Sequence, residues 1–346
     1  GKGSGRSVPG FDLHEALVES SEYLKKYGGH EMAVGLSLEK VQIDKFKEHF
    51  APGHFSRVDT EHPLDIYIGV DDQCHYALEF RGQFIPQNVK SSNSIGIKQY
   101  TTRFFSGIIF SLNEQDMLDN FCVFCDDIIT STATTTDAMC GYKLVINRFY
   151  AWKKMFQTKS KIMDESRIMG LIGELLFLRD YMIPTYGESI ALRAWSGQEL
   201  THKDFSLDTV WYETKAISTG KATVKISSLE QLQSPNNGEL VVFQLEKMSP
   251  AYAGVNLNKL ASEILKKLDS DEHKDIFINK LVDSGFSFEA IYNEYVYEVS
   301  DADRYLVDAY FPRLVTDDVN EAIVKVQYEL LLSYVQQYKI EWHYGN

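Results

Sequence analysis

The 346-residue chain contains only four cysteines, too few for a disulfide scaffold at this length. A reducing, cytoplasmic setting is therefore expected. Eight prolines and 22 glycines are too sparse for a collagenous or disordered polymer. No 18 apolar residues run together, so no membrane-spanning helix is expected. Gly1-Lys2-Gly3-Ser4-Gly5 has no apolar stretch behind it, so no signal peptide is read. Positive charge is also short, with 35 Lys and Arg against 49 Asp and Glu, a net −14. That balance alone argues against nucleic acid, but the distribution does not. Residues 268–346 hold 16 acidic and 6 basic side chains, whereas residues 141–167 hold 7 basic and 2 acidic. Fields fade within about 8–10 Å at cellular salt, so a basic stretch can meet phosphate on an acidic molecule.

The chain is long enough for two or three domains. Residues 1–50 read as a compact αβ piece, with apolar spacing from Phe11 to Leu24 predicting a helix that Gly28-Gly29 stops. Met32–Leu36 reads as a short strand and Ile43–Phe50 as a second helix. Residues 51–63 have the composition of a linker. Residues 64–137 read as a β-rich module, with strands expected at 65–70, 75–80, 101–105, 107–112 and 121–125. Residues 138–182 turn helical. Hairpin, helix and strand follow over 200–248, and residues 257–346 read as a mostly helical acidic part with one strand-like stretch at 305–310.

The chemistry is concentrated between Glu174 and Gln231. Glu174 stands inside the apolar run Gly170-Leu-Ile-Gly-Glu-Leu-Leu-Phe-Leu178, where a carboxylate is costly unless it meets a cation or strong donor. Some thirty residues later comes Lys203-Asp204-Phe205, then Val210 to Ile217. If 210–217 is a strand, Glu213 and Lys215 share one face, and Asp204 can return to the same end. Three carboxylates and one ammonium gathered there would suit one or two Mg²⁺ ions, with Mn²⁺ as a substitute. Such ions generate hydroxide at neutral pH and stabilise charge on a phosphoryl oxygen. The plainer reading is an exposed cross-strand Glu213–Lys215 pair with Asp204 in a turn. Glu174 is harder to explain that way.

This order of helix Glu, Asp, a nine-residue step and Glu-x-Lys resembles the PD-(D/E)XK nuclease superfamily. The resemblance implies a restriction-endonuclease-like α/β fold: a mixed-sheet core flanked by helices, here with a β-rich N-terminal module and a helical C-terminal part. It assigns Asp204 and Glu213 as metal ligands, Glu174 as a further ligand, direct or through water, and Lys215 as the residue that positions the nucleophile. Gln231 in Ser227-Ser-Leu-Glu-Gln-Leu232 resembles the polar helix residue that steadies the site in many members. Lys203 stands where the motif has proline. Phe311-Pro-Arg-Leu314 and Tyr328-Glu-Leu-Leu-Leu332 further resemble an uncharacterised, defence-associated bacterial family of such proteins, over about residues 64–340. The core would span residues 138–256.

Residues 1–50 carry a second resemblance, on Gly3-Ser-Gly-Arg-Ser7, Phe11-Asp-Leu13, Gly28-Gly-His30 and Ala33-Val-Gly-Leu36. They are similar to the end of the DHH-associated domain of RecJ-type single-strand exonucleases. The metal-binding DHH domain itself has no counterpart here. Arg6 and His30 are candidate phosphate contacts, as are Lys153 and Lys154 in the basic stretch and Lys221 and Lys225 after the candidate strand. The expected activity is Mg²⁺-dependent hydrolysis of DNA phosphodiesters in restriction or anti-phage defence. The alternative is a non-catalytic DNA-binding or scaffolding subunit working with other proteins of a defence complex. A homodimer is left open.

Overall fold

Alternating burial and paired registers define the sheets, and 3.6-residue apolar spacing defines the helices. The computed structural model describes residues 2–6, 17–18, 21–30, 33–39, 42, 53–157, 162–195, 203–342 and 344. The chain forms two compact units, Gly1–Lys159 and Ser160–Asn346. The boundary falls inside the segment 138–256 read from sequence as the core, so residues 138–159 lie in the first unit.

The first unit begins with β1 (Lys2–Arg6), β2 (Lys26–His30) and β3 (Ala33–Ser37), an antiparallel sheet in the order β1-β3-β2. Gly28 and Gly29 lie within β2 and do not stop a helix, since their backbones pair with Gly35 and Val34. Most of the two helices expected in this segment falls outside the described residues. A five-stranded antiparallel sheet follows, ordered β4-β5-β6-β8-β7. Its strands are β4 (Phe55–Arg57), β5 (Asp65–Val70), β6 (Tyr76–Gly82), β7 (Ile95–Thr101) and β8 (Ser106–Leu112). Part of the expected linker is therefore strand β4.

Two helices complete the unit, α1 (Leu118–Thr132) and α2 (Ala138–Gln157). The strand expected at 121–125 is part of α1. A short apolar run is ambiguous by periodicity alone, and Phe121, Phe124 and Ile128 recur at helical spacing and are buried. Phe124 packs edge-on to Phe110 of β8 and to Phe149 and Trp152 of α2. The helices are also joined by a buried ion pair. Asp127 Oδ2 accepts from Arg148 Nε (2.8 Å) and Nη2 (2.6 Å) and from Trp152 Nε1 (2.7 Å).

The second unit starts with α3 (Glu165–Phe177), opened by Asp164, whose side chain accepts from the Arg167 amide. The helix continues through a π-turn (Leu178–Met182) into α4 (Ile183–Tyr186) and α5 (Glu188–Ala194). The core sheet is mixed and ordered β15-β13-β12-β10-β9. It comprises β9 (Phe205–Ser206), β10 (Trp211–Ser218), β12 (Gly238–Met248), β13 (Val296–Val307) and β15 (Lys339–Ile340). β10 and β12 are parallel; the other pairs are antiparallel. A two-stranded sheet joins β11 (Thr223–Ile226) to β14 (Tyr328–Leu331). This is the restriction-endonuclease-like class expected, a mixed sheet flanked by helices.

The C-terminal part supplies α6 (Leu257–Lys267) and α7 (Asp271–Asp283), and then returns as β13, the longest strand and a member of the core sheet. It is therefore less helical than the sequence suggested, and its strands belong to the nuclease-like core. The apolar face of β13 was broken by Asp301, Asp303 and Arg304, which hid its period.

The Asp127 cluster gives a stability test. Asp127→Ala leaves the Arg148 guanidinium buried without its carboxylate, at a cost of about 3–5 kcal/mol. The urea midpoint should fall accordingly; an unchanged midpoint would show that Arg148 finds solvent.

Candidate functional site

The site forms because β9 is short. It pairs only with Trp211 and Tyr212, so among the described residues no strand pairs the outer edge of β10 from Glu213 onward. Asp204, just before β9, takes over that edge. Its Oδ2 accepts from both the Thr214 amide and the Thr214 hydroxyl, each at 2.7 Å. Oδ1 is outside these bonds.

Glu213 and Lys215 share a face of β10 with Trp211 and Ile217. The latter two belong to an apolar cluster that includes Val224, Leu232, Phe311 and Leu330. Lys215 Nζ donates to Glu213 Oε1 at 2.5 Å. The Glu213 side chain is 1% exposed, and its Oε2 is buried with no hydrogen-bond partner. An orphaned buried carboxylate oxygen is costly and calls for a cation or donor.

The opposite face of β10 carries α3. Gly173 is the point of approach, since a Cβ there would stand 3.3 Å from the Ala216 Cβ. Phe177 packs on Tyr212, ring centroids 5.2 Å apart. Glu174 follows Gly173 and is fixed by Trp195, whose Nε1 donates to Glu174 Oε2 at 2.8 Å. Trp195 is itself fully buried at the end of α5, bridged to Phe205 and packed on Phe277. Glu174 thus sits on the helix packed behind β10, and the charges of Asp204 and Glu213 both act on it.

The electrostatics reflect that crowding. Burial, then the Asp204 charge, pushes Glu174 up to about 8. The same two causes push Glu213 up to about 8. Burial alone would lower Lys215, but the Glu213 and Asp204 carboxylates outweigh it and hold the amine above its ordinary value. The group is short of positive charge. Two carboxyls held protonated well above 4.5, together with an orphan oxygen, fit a divalent cation, which would draw those protons off. Asp204 and Glu213 are the residues that could hold it, since Mg²⁺ is commonly bound through one or two carboxylates with waters retained. Among the described residues, no three His, Cys, Asp or Glu side chains are arranged to hold one ion together.

Gln231 is not brought into contact with these groups. The expected helix is a 3₁₀ turn, Leu229–Gln231, and Gln231 Oε1 accepts from the Ser227 amide at 2.7 Å. Lys221 and Lys225 are exposed around β11. Lys153 and Lys154 lie on α2 in the first unit, Lys153 over the Tyr150 ring. The aromatic residues interleaved with them are mostly core: Tyr142, Phe149 and Trp152 are buried, and Arg148 is bound to Asp127. Arg6 and His30 both pair with Ala33 across β3, at one end of the small sheet.

Sequence reasoning missed the residues that hold the site in place. Thr214 lies inside the Glu-x-Lys motif and binds Asp204 from the other face. Lys203 is buried, with Nζ donating to the carbonyls of Glu230 and Gln233 (3.1 Å) and lying 3.8 Å from the Trp211 ring centroid. Burial holds its amine down at about 8. Arg313 donates to the Leu232 carbonyl at 2.7 Å, so both cations clamp the same turn. The signal for Lys203 was its place in the motif; for Trp195 there was none.

A family model described as "Putative PD-(D/E)XK family member, (DUF4420)" matches residues 37–333. The chain belongs to this family. The match extends across most of both units, so the DUF4420 pattern includes the β-rich sheet as well as the carboxylate site. The resemblance to RecJ-type exonucleases is also found, as a short match. The chain is 44% identical over 54 residues to the single-stranded-DNA-specific exonuclease RecJ of Dickeya dadantii, and 42% identical over 53 residues to that of Salmonella typhimurium. Each match covers 14% of this chain and 9% of the RecJ protein. No solved structure matches the chain. No helix among the described residues is long and apolar enough to cross a membrane.

The raised carboxyls predict a pH effect on stability. Glu213 keeps its proton in the folded chain where the unfolded chain has lost it. Its contribution is complete below about 4.5 and is lost as pH rises through about 8. In metal-free buffer, the melting temperature of Glu213→Gln relative to wild type should therefore rise across that window. A difference constant with pH would show that Glu213 ionises normally.

Proposed function

We propose that the chain is a Mg²⁺-dependent nuclease that hydrolyses DNA phosphodiester bonds. The observation that carries this reading is the pairing of Glu213 with Lys215 at an open strand edge, one carboxylate oxygen orphaned, with Asp204 beside it. Asp204 and Glu213 would hold the cation, and Mn²⁺ could replace it. When bound, the ion would supply charge to stabilise the phosphoryl oxygens and lower the pKa of a water.

The protein groups have separate tasks. Thr214 fixes one Asp204 oxygen and so aims the other. Lys215 stays protonated beside Glu213 and serves as a donor that orients the attacking water and offsets charge on the phosphate. Glu174, held by Trp195, adds negative charge behind the edge and strengthens cation binding. Exposed Lys221, just before the adjacent β11, and Lys225 on it can neutralise flanking phosphates. Gln231 steadies the turn beside the site through its bond to Ser227.

A non-catalytic DNA-binding or scaffolding subunit is the second reading. It is favoured by the lack of a three-ligand cluster among the described residues. A place in restriction or anti-phage defence, alongside other proteins of such a system, belongs to both readings and rests on the resemblance of the Phe311–Leu314 and Tyr328–Leu332 motifs.

The experiment is incubation with labelled single- and double-stranded DNA in Mg²⁺, in Mn²⁺ or in EDTA. Cleavage should require the metal. Lys215→Ala and Asp204→Ala should each lower the rate by at least about 10²-fold with the melting transition retained. Cleavage by Lys215→Ala at the wild-type rate removes that residue from the mechanism. Metal binding without cleavage of either strand form supports the scaffold.

A further inference from the structure

The five-stranded sheet of the first unit has two unlike faces. Leu78, Phe80, Ile108 and Phe110 are buried and belong to the face packed against α1 and α2. The other face is hollow. Across one row of paired positions it reads Phe55, Gly69, Ala77, Ser111 and Gly96. The His54 carbonyl covers Gly69 and the Asn113 side chain lies over Gly96, but the space beside Ser111 and Glu79 stays open. The resulting cavity is about 370 Å³, within the range of small-molecule pockets, about 300–1,000 Å³.

Polar groups line that floor in a fixed arrangement. Glu79 is 1% exposed. Its Oε2 accepts from Arg81 Nη2 at 2.7 Å, and its Oε1 accepts from the Tyr100 hydroxyl. Tyr100 reaches it because residue 107 is glycine, where a Cβ would stand 2.4 Å from the tyrosine ring. Arg81 is held in turn over the Tyr67 ring, 4.1 Å from its centroid. Its Nε is buried and has no hydrogen-bond partner. Each Glu79 oxygen retains a lone pair after these bonds. Glu79 and the partly exposed Arg81 both line the cavity, so it offers a carboxylate acceptor beside a guanidinium.

The charges select the kind of ligand. Glu79 is paired with Arg81, Asp72 with Lys98 (3.0 Å) and Asp71 with His75 (3.3 Å). No surplus of positive charge remains for a phosphate. A neutral, planar molecule that both donates and accepts is favoured, flanked by the aromatic side chains of Phe55 and Tyr100.

We infer that this cavity binds the amino-bearing edge of a nucleobase, that of cytosine or adenine. The exocyclic amine donates to Glu79, and the adjoining ring nitrogen accepts from the exposed part of the Arg81 guanidinium. Thymine presents only carbonyls beside its ring N–H, which the Glu79 carboxylate repels; the guanine amine is flanked by N1–H, a donor that opposes the Arg81 guanidinium, and by N3, which the sugar crowds. The base could come from a free nucleotide or from a DNA strand with that base turned outward. The inference is independent of the cleavage reading, because every residue it uses lies in the first unit and no metal is needed.

The test is calorimetric titration of the full chain in EDTA with dCMP, dAMP, dTMP and dGMP. An oligothymidylate and the same strand carrying one cytosine are titrated in parallel. dCMP and dAMP should bind at least about tenfold more tightly than the other two. Glu79→Gln should weaken that binding by about tenfold. So should Lys98→Trp, which changes an exposed side chain at the cavity mouth and leaves Glu79 in place. Preference for the cytosine-bearing strand over dCMP identifies a base presented by DNA; the reverse identifies a free nucleotide. Equal affinity for all four nucleotides, no binding at millimolar concentration, or binding that survives both substitutions with the fold intact would overturn the inference.

Discussion

One edge of one strand governs the candidate site. A β-edge left bare exposes backbone donors, and proteins cover such edges by various means. Here β9 covers two residues of β10 and then stops, and the next donor, the Thr214 amide, is met by a carboxylate. That substitution places Asp204 between the two faces of the sheet. Glu213 and Lys215 approach it from one side, and Glu174 approaches from the helix on the other. Had β9 continued, the sheet would have separated Glu174 from the Glu213 face by a second paired strand. The charges would then not shift one another as they do.

The same edge explains why the carboxyls are protonation-prone. Each is buried by necessity: Glu213 beneath the apolar cluster around Trp211 and Leu232, Glu174 between α3 and Trp195. Burial makes charge costly, and a neighbouring Asp makes a second charge costlier still. A site of this kind gains from a cation much more than a solvated pair of acids would. The structure accordingly fixes the geometry with neutral donors, Trp195 and Thr214, and leaves Glu213 Oε2 unspent.

The sequence made the chemistry legible because the motif is local. Glu213 and Lys215 are two apart on a strand, and Glu174 breaks an apolar helix, so period and polarity alone identified them. The supporting residues were illegible for the opposite reason. Trp195, Arg313 and the carbonyls held by Lys203 are joined to the site only through tertiary contacts. The β-rich module was read from alternation, yet residues 121–125 were mistaken for strand because a short apolar run fits either period. Gln231 was placed on a helix by resemblance; the chain instead crosses from β10 to parallel β12 through β11 and a 3₁₀ turn. β13 was underestimated because Asp303 and Arg304 are buried on it, each satisfied by a partner, Lys339 and Glu239, that lies far away in sequence.

That crossover sets an order of assembly. Parallel neighbours are ordinarily linked by a helix that folds from its own residues. β11 instead takes its partner from β14, and the Thr223–Glu329 bond spans 106 positions. A chain emerging from the ribosome can therefore bring Glu174, Asp204 and Glu213 together well before the wall behind Glu213 closes. Glu213 lacks that wall until residues 328–331 arrive. The charged centre thus closes only once β14 has joined β11.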